Sequence, residues 1–269
     1  MKTPERCMNR ITAAADYLMG LRRGRRQVPQ LPEDIAPRSL EEGYQVQNAF
    51  VGRLLAWYGG RLCGYKIACT SRVAQEALGV SAPLFGRLLT ATSYTSGVTL
   101  PADDYLVRCA EVEFGFLIGG DVPADCHYTS ESIRPWVAAV IPALEIVDHR
   151  FVDWQKVGAA TLAADNAIHG AWIYGSPVTD WQRFDLAQQV TSLVVNGRQR
   201  FPGSGAAVLG HPLAALAWLA NELPRYGLSL HRGDYVSTGL TTAIYLAQPG
   251  DHLRGDFGPL GHVEVQFVP

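Results

Sequence analysis

The chain has 269 residues, 48% of them hydrophobic and 18% charged, with a formal net charge of -2 at pH 7. Such a length can bury a substantial core, and the composition is that of an ordinary globular protein. The charge gives no global pull toward nucleic acid or an anionic membrane, and no apolar stretch reaches the ~18 residues needed to span a bilayer.

The first sixty residues read as helical. Thr3, Pro4 and Glu5 predict a helix start with Pro4 at the first helical position, and Ile11, Ala15, Leu18 and Leu21 continue it as an apolar stripe. The cluster Arg22, Arg23, Arg25 and Arg26 reads as a solvated helix end rather than a binding patch. A twin-arginine export signal is not expected, because Val28 to Asp34 follows in place of an apolar signal core. After a proline-bearing connector (27–38), the Ser39 to Glu42 pattern of a capping box opens a second helix through about Tyr58. Its apolar face is Leu40, Tyr44, Val51, Leu54 and Tyr58.

From Leu62 onward the pattern changes to short strands punctuated by Gly and Pro. Strands are predicted over 64–69, 110–118, 143–147, 170–174 and 190–195, and Asn196-Gly197 is a two-residue hairpin signal leading into 198–201. One helix interrupts at 211–221, with Pro212 near its start and Pro224 beyond its end. Strands at 235–238, 243–246 and 262–267 close the chain. The expected fold is therefore α+β, a helical N-terminal segment (1–60) ahead of a β-rich domain (61–269). The five cysteines, Cys7, Cys63, Cys69, Cys109 and Cys126, form no Cys-x-x-Cys pair and read as reduced residues of a soluble cytoplasmic protein.

Three glutamates sit inside apolar, strand-like runs, where a lone carboxylate is costly to bury. Glu111 and Glu113 are two apart, so on a strand they share a face ~7 Å along it, with Val112, Phe114 and Phe116 opposite. If Glu145 faces them from another strand, three oxygen ligands converge on a site for a hard divalent cation such as Mg²⁺ or Mn²⁺. The alternative is a set of rim carboxylates paired with Arg108 or Arg150.

Lys66, inside another apolar strand, is either an outward guard of a sheet edge or an inward group able to exchange protons near neutral pH. Asp165-Asn166 either orients a substrate or forms an Asx turn. His169 and His211 lack metal-ligand spacing and read as structural or substrate-facing. Gly203-Ser204-Gly205 lacks the context of a phosphate loop, Gly-x-Ser-x-Gly is absent, and Arg232-Gly233-Asp234 reads as a turn.

These segments, taken in order, resemble the fumarylacetoacetate hydrolase superfamily, in its 2-oxopent-4-enoate hydratase / 4-oxalocrotonate decarboxylase branch. The resemblance is carried by Gly64 to Ile67 with Thr70-Ser71, Phe85-Gly86, Ala110 to Glu113, Pro142 to Glu145, Ala164 to Asn166, Leu209 to Leu213, Gly233-Asp234 with Thr238-Gly239, and Pro249 to Asp251. It covers roughly residues 40 to 269. It implies a mixed β-sandwich roll, Mg²⁺ or Mn²⁺ on Glu111, Glu113 and Glu145, and chelation of a 2-oxo acid or its enol by that metal. It also implies proton transfer by Lys66, a substrate beside Thr238-Gly239, and assembly as a homo-oligomer. Thr70, Ser71, Asn166 and His211 are further candidate substrate contacts, and Asp165 and His169 secondary candidates for proton transfer.

The chain departs from the family pattern at Ile168-His169, which would reshape the pocket and add a titratable group. The expected activity is hydration of a 2-hydroxy-2,4-dienoate in aromatic catabolism. Alternatives are a 2-oxo acid decarboxylase, a C–C bond hydrolase, or a non-catalytic subunit that stabilises a partner enzyme in a catabolic complex. Neither nucleic acid nor membrane is expected as a partner.

Overall fold

The computed structural model describes residues 4–269, with side chains from Met8 onward except at positions 73 and 77. The expected cap at Thr3 and the side chain of Cys7 lie outside the described residues.

In chain order, the helices α1 (Pro4–Arg23) and α2 (Leu40–Tyr58) precede β1 (Leu62–Ala68), α3 (Arg72–Leu78), β2 (Leu84–Leu89), β3 (Ser93–Thr95) and β4 (Val98–Pro101). There follow β5 (Cys109–Ile118), α4 (Ser130–Ile133), β6 (Val137–Val147), α5 (Ala159–Ala164), β7 (His169–Tyr174), β8 (Val190–Val195) and β9 (Gln199–Ser204). The chain ends with α6 (Pro212–Glu222), β10 (Tyr235–Leu240), β11 (Tyr245–Leu246), β12 (His252–Asp256) and β13 (His262–Val268). None of the described helices is long and apolar enough to cross a membrane.

An eight-stranded mixed sheet runs β2-β1-β10-β5-β6-β7-β3, with β11 also paired to β5. A five-stranded sheet runs β4-β13-β12-β8-β9. Alternation along β5 places Val112, Phe114 and Phe116 in the core between the two sheets, with Leu144, Leu193, Val265 and Phe257. Phe114 meets Phe257 edge-on at 5.1 Å. The glutamates, in the intervening positions, face the other side. This is the α+β sandwich that the sequence predicts.

The helical N-terminus is no separate body. Ala14, Ala15, Leu18 and Met19 of α1 pack with Val46, Phe50 and Leu54 of α2, and the same cluster takes in Leu89 of β2, Phe151 and Ala164 of α5. Ser39 caps α2 by accepting the Glu42 amide, but the reciprocal half of the expected capping box falls one residue earlier, because Glu42 accepts from the Arg38 amide. Tyr58, expected in the apolar face, is instead exposed, where it accepts from Arg22. Nor is the arginine cluster wholly solvated. Arg22 donates to the carbonyls of His169 (3.0 Å) and Gly170 (3.4 Å).

The strands β2, β3, β4 and β12 were not expected from the pattern. Gly86 and Arg87 interrupt the apolar run of β2, and the other three are only three to five residues long, too short to show a period. Among the described residues Cys63, Cys69, Cys109 and Cys126 are free thiols, as expected, with Cys126 exposed rather than in the core.

Candidate metal centre

The carboxylates converge because of strand register. In the antiparallel β5–β6 pair Glu111 lies directly opposite Glu145, and Glu113 sits one residue pair along on the same face. One oxygen from each of the three lies within 4.8 Å of the others. Arg108 donates to the carbonyls of Ala247, Ala102 and Tyr105, and Arg150 pairs with Asp148 and Asp165, so the reading as arginine-paired rim residues does not hold.

Lys66 is not an edge guard. Its strand lies between β2 and β10, and its side chain is fully buried beside the glutamates. Nζ lies 3.2 Å from Glu145 Oε2 and donates to the Ala167 carbonyl at 2.9 Å. Burial alone would lower its pKa, but Glu145, Glu111 and Glu113 together raise it above the ordinary lysine value. Lys66 is thus the inward of the two readings, and without a cation on the centre the surrounding carboxylates favour its ammonium form.

The carboxylates respond in opposite senses. Burial, with the nearby Glu145 charge, pushes Glu111 up to about 7, and burial with both neighbours pushes Glu113 well above the usual carboxylate range. Glu145 is held low despite burial, because Lys66 and His169 favour its charged form. With all three ionised, one ammonium would leave two negative charges uncompensated in a desolvated pocket, which is why Glu111 and Glu113 resist ionisation. Glu113 Oε1 is also buried with no hydrogen-bond donor, and Glu145 Oε2 faces only the Lys66 ammonium at 3.2 Å. The donor set, all oxygen with two charges to neutralise, fits a hard divalent cation.

The remaining oxygens are held from behind. Glu113 Oε2 accepts from the Ser237 hydroxyl and from the Gly239 amide at 3.0 Å, and Trp172 Nε1 donates to Ser237 Oγ at 2.9 Å. The Gly239 contact depends on a bulge in β10, where the register to β5 shifts between Ser237 and Leu240. Gly239 has φ +102°, and a Cβ there would lie 2.0 Å from Thr70 Oγ1, so only glycine fits. Sequence reasoning missed Ser237; its strand parity with Lys66, which it faces across the β1–β10 pair, was the available signal. The adjacent Thr238 points the other way and donates to the Phe114 carbonyl at 2.9 Å, so its hydroxyl is not brought to the carboxylates.

His169 Nδ1 lies 2.7 Å from Glu145 Oε1. Burial lowers its pKa despite that contact, so the ring is neutral, donates from Nδ1 and keeps a buried, unpartnered Nε2. It braces a carboxylate rather than lining the cavity. Asp165 is not brought to the glutamates. Its oxygens accept from Arg150 Nε at 2.8 and 2.9 Å. Asn166 is likewise engaged: Oδ1 accepts from the Arg87 amide and Nδ2 donates to the Arg87 carbonyl, as a neighbouring strand would. Asn166, Ala167 and Ile168 have φ of 54°, 49° and 57°, three successive non-glycine residues in the left-handed region. That turn presents the Ala167 carbonyl to Lys66.

A cavity of about 90 Å³ opens over Lys66 and Glu111, walled by Ile168, Leu84, Leu162 and Trp154 and closed on another side by Thr70, Ser71 and Gly239. Ser71 Oγ is already occupied in capping α3 through the Ala74 amide. His211 lies elsewhere, as the cap of α6, where Nδ1 accepts from the Leu213 amide.

Comparison with known proteins bears on this arrangement. The family model described as fumarylacetoacetate (FAA) hydrolase C-terminal matches residues 80–268. A 2-keto-4-pentenoate hydratase of Paraburkholderia xenovorans (strain LB400) is 31% identical over 254 residues, 94% of this chain and 93% of the relative. A 2-hydroxyhexa-2,4-dienoate hydratase of Comamonas testosteroni is 32% identical over 248 residues, covering 91% and 93%. Among solved structures, 4-oxalocrotonate decarboxylase from Pseudomonas putida G7, complexed with magnesium and adipate, superposes with a TM-score of 0.88 at 26% identity, over 100% of this chain and 99% of that one.

Proposed function

Because the chain belongs to the fumarylacetoacetate hydrolase family, we propose that it is a divalent-metal-dependent hydratase that converts a 2-hydroxy-2,4-dienoate into a 4-hydroxy-2-oxo acid. The observation that carries the reading is the convergent trio Glu111, Glu113 and Glu145, the last two buried, with Lys66 against it, in a chain matched nearly end to end by relatives named as hydratases. Glu111, Glu113 and Glu145 would hold Mg²⁺ or Mn²⁺, which when bound supplies Lewis-acid stabilisation of negative charge on the substrate's carboxylate and 2-oxo oxygens.

The chain's own residues supply the rest. Hydration needs a proton placed at C5 as the 2-hydroxyl loses its own, then water added across C3–C4 with its oxygen at C4. Lys66 Nζ, an ammonium lining the cavity, is the proton donor and acceptor. His169 keeps Glu145 ionised and oriented, and Ser237 and Gly239 orient Glu113. Ile168, Leu84 and Leu162 enclose the apolar diene and keep stray water from it. A small cavity suits a short dienoate. We place the enzyme in the cytoplasm as a homo-oligomer.

The test is calorimetric binding of oxalate, a rigid mimic of an enolised 2-oxo acid, with and without Mg²⁺, followed by turnover of 2-hydroxypenta-2,4-dienoate. Oxalate binding that requires Mg²⁺ and is lost in Glu113→Gln is the expected result. No binding by folded, metal-supplied wild type would remove the site assignment and favour a non-catalytic stabilising subunit. A decarboxylase is the second reading, favoured by the full-length structural match to 4-oxalocrotonate decarboxylase. Release of CO₂ from 4-oxalocrotonate without hydration of the dienoate would select it.

A further inference from the structure

The strand that seals one side of the metal centre carries a second feature on its other face. In β2, Gly86 lies opposite Lys66, on the carboxylate side, whereas Phe85 and Arg87 project to the opposite face. There the guanidinium of Arg87 lies 5.2 Å from the Tyr65 ring and lines a cavity of about 870 Å³ between α1, α2 and the turn at Tyr226. Arg87 is only 7% exposed, its Nε is buried with no hydrogen-bond partner, and no carboxylate among the described residues forms an ion pair with it. Burial pulls its pKa below the ordinary arginine value, outweighing the effects of Tyr65 and Asp234.

A guanidinium is a rigid fork of donors matched to a carboxylate, and its burial without a counter-charge is costly. The lining is mixed: Ile11, Tyr226 and Leu228 are apolar wall, and Glu41, Gln45 and Arg225 are polar. Behind Tyr226, Tyr44 stacks on Phe85 at 4.1 Å, and the Tyr226 ring lies 4.4 Å from Tyr44. The volume is that of a small-molecule site, and Arg87 is part of its lining.

We propose that this cavity is a second ligand site, built around Arg87 for a small carboxylate with an aromatic body and separated from the metal centre by the β1–β2 layer. Its carboxylate accepts from the Arg87 guanidinium, and its ring packs against Ile11, Tyr226 and Leu228 on the cavity wall. The site does not depend on the hydratase reading.

The test is calorimetry of benzoate, with benzyl alcohol as the uncharged control, on the Mg²⁺-loaded full chain in saturating oxalate. Benzoate is expected to bind with oxalate present, benzyl alcohol at least tenfold more weakly, and Arg87→Met to weaken benzoate at least tenfold. Asn48→Trp, from the exposed face of α2 at the rim, is expected to block binding without touching the core, and serves if Arg87→Met fails to fold. Absence of benzoate binding at millimolar concentration, binding unchanged in both variants, or loss of binding when oxalate is present would overturn the proposal. Failure of benzoate to bind together with a lower oligomeric mass for Asn48→Trp would instead make the cavity an interface between copies of the chain.

Discussion

At the scale of single residues, charge in a desolvated pocket decides most of what happens here. Among the described residues Lys66 is the one cation against the three carboxylates, and Lys66→Met is expected to lower kcat by about 10²- to 10⁴-fold, the usual worth of a positioned acid–base group. Steady-state kinetics beside a thermal melt check this, and near-normal turnover by a folded variant would remove Lys66 from the mechanism. Cys69 gives a second test. Burial, with Glu111 nearby, pushes its thiol up to about 11, although it lines the cavity. Thiolate is the reactive form, so alkylation of native Cys69 is expected to be negligible at pH 8 and to rise steeply only above pH 10. Mass-mapped iodoacetamide labelling across that range would show it. The glutamates were legible in the sequence because strand parity is a local property and a buried carboxylate needs a reason. The protonation of Lys66 was not, since it depends on charges 45 to 79 positions away. The sequence offers Asp165 and Asn166 as a substrate-orienting pair or an Asx turn, yet their side chains are engaged by Arg150 and by the Arg87 backbone, partners that only folding brings near.

At the scale of elements, irregularities rather than regular strands shape the site. The β10 bulge turns the Gly239 amide onto Glu113, and Gly239→Ala is expected to cost both stability and activity, because φ +102° strains an alanine and the clash with Thr70 must be relieved by moving that amide. A lowered Tm together with a fall in Mg²⁺ affinity of the folded variant would be the signature. The turn at Asp251 is a second such joint. Its carboxylate accepts from the Gln248 amide, Asn196 Nδ2 and the Tyr245 hydroxyl, tying the β8–β9 hairpin to β11. Burial would raise its pKa, but those donors hold it below the ordinary value. A lowered carboxylate stabilises the fold above its unfolded pKa of ~3.9 and loses that contribution as pH falls through the folded value. Asp251→Asn is thus expected to cost about 1.5–3 kcal/mol at neutral pH, the worth of bonds to a charged group, with the gap to wild type closing below about pH 4. Denaturant melts at several pH values measure it. The hairpin at Asn196-Gly197 and helix α6 were readable from turn and proline chemistry, whereas the left-handed run from Asn166 to Ile168 carries no glycine to announce it.

At the scale of the molecule, the helical N-terminus is bonded into the sheet rather than appended to it. Leu18 is fully buried in a cluster that includes Leu89 and Ala164, so Leu18→Ala is expected to cost about 2–5 kcal/mol. Far-UV circular dichroism and the fluorescence of buried Trp172 should then report one shared, lowered transition. Two separate transitions would mean that the helices fold apart from the sheet.

The position of β10 also carries a consequence for how the protein is made. It lies between β1 and β5 in the large sheet, yet it comes from the last 35 residues of the chain. A ribosome releases β1 and β5 long before the strand that joins them, and until then each presents an unpaired edge. Refolding should therefore be slow and concentration-sensitive, and a nascent chain truncated before Tyr235 should aggregate rather than wait. The same order means that the Gly239 and Ser237 donors reach Glu113 late, so the centre matures only after β10 has been made.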